Sequence, residues 1–109
     1  MLISFFKTAL APAVATQGLM QYWRGNYQKS YELLKKAECW NPEVTKSSIY
    51  EASLGLAIYH LGNKKEATLR LISAQSYLSK LSTHNKEIAE TERQMLKEVN
   101  QALSSSNVL

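Results

Sequence analysis

Small and apolar residues recur at helical spacing twice along this chain. Ala15, Gly18, Leu19 and Tyr22 fall at i, i+3, i+4 and i+7, one face of a helix. A shift of 37 residues brings Ala52, Gly55, Leu56 and Tyr59 into the same phase. Each stripe runs into a Gly-Asn pair, Gly25-Asn26 and then Gly62-Asn63. Glycine and asparagine tolerate the left-handed backbone of a helix C-terminal cap, so both pairs predict a helix end. A second helix is predicted after each turn, with Ser30, Leu34 and Ala37 on one face of the first and Ala67, Leu71 and Ala74 on that of the second. Glycine within a helix costs about 1 kcal/mol relative to alanine. Its use at one phase in both halves predicts that a neighbouring helix approaches where a Cβ would collide. The unit is a helical hairpin, and a fixed period of this size marks a stacked array. The fold class predicted is all-α, with one unit over about residues 12–44 and the next over about 48–81.

A stack needs neighbours to bury its faces. Thr83-His84-Asn85 offers capping residues before a helix predicted from about Lys86 to Leu103. Ile88, Met95, Val99 and Leu103 form its apolar stripe, whereas Glu87, Glu90, Arg93, Lys97 and Glu98 lie mostly off it. This helix is expected to cap the second hairpin, and residues 104–109 to form a frayed tail. At the other end Leu2, Ile3, Phe5, Phe6 and Leu10 make an apolar segment before Pro12. Three roles stay open for it: covering the first hairpin, filling a groove, or serving a second subunit. Ala13-Val14-Ala15 resembles a signal-peptidase site, but no basic residue precedes the apolar run and Lys7 interrupts it. The uncharged run from Thr8 to Trp23 is too short to span a bilayer comfortably. A cytoplasmic location is expected, with export or peripheral membrane contact as the alternatives.

The hairpin residues resemble the tetratricopeptide repeat. That family carries a mid-helix glycine, a turn glycine seven residues later, a small residue early in the second helix, then a large apolar residue, an alanine and a closing proline. Gly18, Gly25, Ser30, Leu34, Ala37 and Pro42 match in the first unit, with Tyr27 at the aromatic position after the turn. Gly55, Gly62, Ala67, Leu71 and Ala74 match in the second. The period is longer than the family's usual 34, Ser79 replaces the second closing proline, and Tyr22 and Tyr59 sit one residue late. The resemblance implies two divergent repeats in a right-handed α-α superhelix. It also implies a concave groove lined by first helices, to which Ala15, Leu19, Tyr22, Trp23, Ala52, Leu56, Tyr59 and His60 would contribute.

Composition narrows the chemistry. The chain of 109 residues suits a single domain, with 45% hydrophobic and 20% charged residues. Its net charge of +4 comes from residues 1–85, which hold ten Lys/Arg against five Glu. The pairs Lys35-Lys36 and Lys64-Lys65 read as solvated helix faces, which disfavours nucleic acid as a partner. One cysteine, Cys39, excludes an internal disulfide framework. No aspartate occurs, and the two histidines stand 24 residues apart. Neither a phosphate-gripping glycine loop nor a helix-borne zinc motif is present. The sequence thus leads to a non-enzymatic module without cofactor or metal. Its expected role is adaptor-like or chaperone-like, binding an apolar segment or helix of another protein. Leu19, Tyr22, Trp23, Leu56, Tyr59 and His60 are the candidate contacts. The alternatives are a homo-oligomer assembled through the apolar N-terminal segment, and an exported or membrane-peripheral interaction protein.

Overall fold

A computed structural model describes residues 2–46, 49–84 and 90–106, which form five α-helices and no strand. The helices are α1 (Leu2–Trp23), α2 (Tyr27–Trp40), α3 (Ile49–His60), α4 (Lys64–His84) and α5 (Glu90–Ser106). A short 3-10 turn, Pro42–Thr45, comes after α2, and Asn41 caps it by accepting from the Glu43 N–H at 3.2 Å.

The two predicted turns share one geometry. Gly25 and Gly62 adopt φ of +82° and +98°. The Gly25 N–H donates to the Tyr22 carbonyl and the Asn26 N–H to the Gln21 carbonyl, both at 2.9 Å. Gly62 and Asn63 repeat this pairing toward Tyr59 and Ile58 at 3.1 and 3.2 Å. Such paired bonds satisfy the last free carbonyls of a helix, and only glycine takes the positive φ without strain. The asparagine side chains differ: Asn26 donates back to Gln21 Oε1 at 2.8 Å, whereas Asn63 caps the next helix. Asn63 Oδ1 accepts from the Glu66 N–H at 3.2 Å while its amide donates to the Glu66 carboxylate at 3.3 Å.

Within each hairpin a glycine faces a leucine. A Cβ on Gly18 would stand 2.7 Å from Leu34 Cγ, and one on Gly55 would stand 2.9 Å from Leu71 Cδ2. Both leucines are fully buried. Thr8, near the start of α1, donates to the Trp40 carbonyl at the end of α2. The pair is therefore antiparallel. α3 lies at the centre, with every residue from Glu51 to Ile58 buried. A helix apolar all round needs cover on all sides. α1, α2 and α4 supply much of it, and α5 adds Met95, Val99, Ala102 and Leu103 to the core.

Polar side chains tie the units at equivalent positions. Glu38 on α2 receives two hydrogen bonds from Arg70 on α4, at 2.7 and 2.9 Å. The residue one period later, Gln75, donates to Asn100 on α5 at 2.7 Å. Thr45 also donates to Glu38, at 2.6 Å. The Arg70 guanidinium holds the Glu38 carboxyl down at about 2, against the partial burial that would raise it.

Three expectations change. The apolar segment before Pro12 is not a separate element, because α1 runs from Leu2 through Pro12 without interruption. Proline removes one backbone donor and disfavours the preceding turn. Buried Ala11 and the contacts of Thr8 and Lys7 with Trp40 hold that turn in place. Thr83 and His84 lie within α4 rather than capping the next helix, and residues 85–89, with the expected start at Lys86 and the stripe residue Ile88, lie outside the described residues. Ser104, Ser105 and Ser106 extend α5 instead of fraying, because Ala102 and Leu103 just before them are anchored in the core.

The depressed Glu38 carboxyl makes folding stability depend on acid. Its contribution is present above about pH 4.5, the unfolded value, and disappears as pH falls toward about 2. Glu38→Gln should lower the unfolding free energy at neutral pH by about 2 kcal/mol, allowing for partial solvent screening. Urea unfolding of both forms from pH 7 to pH 2 checks this, the gap closing over the acid half of the range.

Candidate functional site

Five side chains from four segments meet where the two hairpin turns approach α5. Tyr22 ends α1, Tyr27 begins α2, Tyr59 and His60 end α3, and Glu98 lies midway along α5. The capping turns place them, since each stops its helix immediately after the aromatic residues. Together with Leu56, Ala102, Gln101 and Ser105 they bound an open-mouthed cavity of about 290 Å³.

The rings form inclined walls. His60 stacks on Tyr27 with centroids 4.1 Å apart and planes 9° from parallel. Tyr22 lies 5.7 Å from Tyr27 at 51°, and Tyr59 meets His60 edge-on at 5.5 Å and 79°. Such offset and edge-to-face contacts are the favoured aromatic geometries. Tyr22 forms the floor. It is buried, and its hydroxyl donates to Glu98 Oε1 at 2.5 Å. Burial, and then the hydrogen bond to the Glu98 carboxylate, push the Tyr22 hydroxyl far above the ordinary phenol value. Tyr22 therefore stays a donor across the whole working pH range.

The six candidate groove residues divide. Leu19, Tyr22 and Leu56 are core residues, buried against neighbouring helices. Tyr59 is half-buried and His60 exposed, both on the cavity wall. Trp23 is 52% exposed and lies outside this cavity, facing Glu90, Thr91 and Gln94 at the start of α5. The structure thus brings Tyr22, Leu56, Tyr59 and His60 together, buries Leu19 nearby, and sets Trp23 apart on the α5 side. Ala15 and Ala52 are also fully buried, so the repeated stripe is core except at half-buried Tyr59.

Two site residues escaped the sequence reading. Tyr27 was visible as the aromatic after the first turn but carried no site role. Glu98 was placed off the apolar stripe of its helix, among solvated charges; the structure half-buries it over Tyr22. The available clue was its position, three after Met95 and four before Ala102, which places it on the border of the buried face.

Among the described residues no group of three or more His, Cys or acidic side chains is placed to hold a metal. None of the described helices is long and apolar enough to cross a membrane. Comparison with protein-family models, curated proteins and solved structures finds no match for this chain.

Tyr22→Phe should remove the donor from a half-buried carboxylate. A hydrogen bond to a charged group is worth about 1.5–3 kcal/mol when buried, so a loss of about 1–2 kcal/mol is expected at this partly solvated site. Glu98→Gln keeps an oxygen acceptor for the same hydroxyl and should cost less. Thermal unfolding followed by circular dichroism ranks the two variants.

Proposed function

We propose that this chain is a non-enzymatic protein-interaction module built from two divergent tetratricopeptide-like hairpins, with α5 as the cap. The observation that carries the reading is the duplicated packing unit. Gly18 against Leu34 and Gly55 against Leu71, each leading into the same glycine-capped turn, support stacking of equivalent units. Stacked hairpins of this kind present surfaces to other polypeptides rather than enclosing reactive groups. The binding surface proposed is the accessible part of the aromatic end, with His60, Tyr59 and Tyr27 on the cavity wall and Trp23 beside it. Aromatic side chains bury large areas at low entropic cost and anchor interfaces.

A second reading, self-assembly, is favoured by the first turns of α1. Phe5, Phe6 and Leu10 are 67%, 55% and 53% exposed. Exposed large apolar side chains gathered on one short segment commonly mark an interface.

The test uses accessible residues, since Tyr22 and Leu56 are structural. Wild type and a Trp23→Ala/His60→Ala variant serve as baits in affinity capture from the native cell, with thermal unfolding as the control for folding. A specific protein captured by wild type and retained at least tenfold less by the equally stable variant supports the module reading. Capture that ignores the double substitution overturns it. For self-assembly, sedimentation should show association in wild type and a monomer in Phe5→Ser/Leu10→Ser. A monomeric wild type removes that reading.

A further inference from the structure

We infer that the cavity between the hairpin turns and α5 is a recognition site for an organic cation, a methylated ammonium or a guanidinium group. This deepens the proposed binding role by naming the chemistry the site selects. Three tyrosine rings and an imidazole line the cavity, and a single carboxylate, Glu98, faces the same space. The faces of aromatic rings carry negative potential and attract a cation within about 6 Å of the ring centroid. Glu98 adds a full negative charge. Its described hydrogen bond is the one from Tyr22, and it joins none of the described ion pairs. Lys97, its chain neighbour, lines a different depression on α5.

Other ligand classes fit poorly. An anion would meet both the ring faces and the carboxylate. A neutral apolar group would cover a half-buried carboxylate without offering it a counter-charge, which is costly. A hydrated metal ion demands several oxygen or nitrogen ligands in place of its water shell, and one carboxylate beside phenol rings does not supply them. A weakly hydrated organic cation loses little on leaving water and gains from the carboxylate and from the ring faces that Tyr27 and His60 do not turn to each other. The volume of about 290 Å³ lies at the lower edge of small-molecule sites, which suits a headgroup or a side-chain terminus rather than a larger body. Gln101 and Ser105 at the rim are placed to hydrogen-bond the polar groups attached next to the charge.

The cation could arrive free, as in choline, or on a polypeptide, as a methylated lysine or an arginine. The experiment separates these sources. The full chain, carrying labelled aromatic residues, is titrated by NMR with choline and with 3,3-dimethyl-1-butanol, its uncharged isostere. Parallel titrations use short peptides containing trimethyllysine, arginine or unmodified alanine. Saturable shifts of the Tyr27, Tyr59 and His60 ring signals with choline, at least tenfold weaker with the isostere, are expected. Glu98→Gln, shown by circular dichroism to stay folded at the titration temperature, should weaken choline at least fivefold. If that variant does not fold, the comparison of isosteres on wild type decides alone. A cationic peptide binding at least tenfold tighter than choline assigns the site to a polypeptide side chain, and the reverse order assigns it to a small molecule. Equal response to choline and its isostere, or no shift of the ring signals with any cation, overturns the proposal. Partner capture that persists without cation binding leaves the interaction reading standing, whereas cation binding without any captured partner leaves this inference standing alone.

Discussion

The helices of each hairpin approach so closely that one residue in the first must lack a side chain. At Gly18 and again at Gly55, a leucine from the returning helix fills the space a Cβ would take. Protein interiors pack at crystal-like density, so such an approach cannot shift by a methyl group without disturbing its neighbours. The hairpin's separation and the depth of Leu34 and Leu71 depend on this contact. α3 can then be buried on every side, because its own hairpin partner and the preceding unit both lie near enough to reach it.

With the interlock in place, polar groups fix the order of the stack. Glu38 reaches forward to Arg70, and Gln75, one period on, reaches forward to Asn100. The same position therefore links the second helix of each hairpin to the next layer of the stack, through a charged pair in one case and an amide pair in the other. A two-pronged carboxylate–guanidinium contact accepts only one orientation of its partners, which gives the junction a register as well as an attraction.

Much of this was legible in the residues. The glycines and small residues at helical spacing predicted the hairpins, and Gly-Asn located both turns within a residue, because local backbone chemistry determines a helix end. The course of the N-terminal segment was less legible. Proline normally marks a boundary, and only the burial of Ala11 and the contacts with Trp40, both products of tertiary packing, carry the helix across it. The site was legible in part. Tyr22, Leu56, Tyr59 and His60 came from the groove that the repeat resemblance implies, yet a first-helix position alone does not distinguish a face that meets a partner from one that meets the next helix. Glu98 was obscured for a related reason: a glutamate at the margin of an apolar stripe reads as solvent-facing until the fold puts a phenol against it.

The bond between Tyr22 and Glu98 joins residues 76 positions apart. In a simple linear array each unit touches only its neighbours, and the ends fray independently of one another. A strut from the first hairpin to α5 changes that behaviour. Loosening α5 withdraws the acceptor from α1, so the two edges of the stack lose order together rather than one at a time. The Tyr22–Glu98 contact itself, spanning 76 positions, forms only after α5 has docked, later than the local bonds that close the first turn. A bond between the first hairpin and the last helix thereby favours a more nearly all-or-none transition over piecemeal melting.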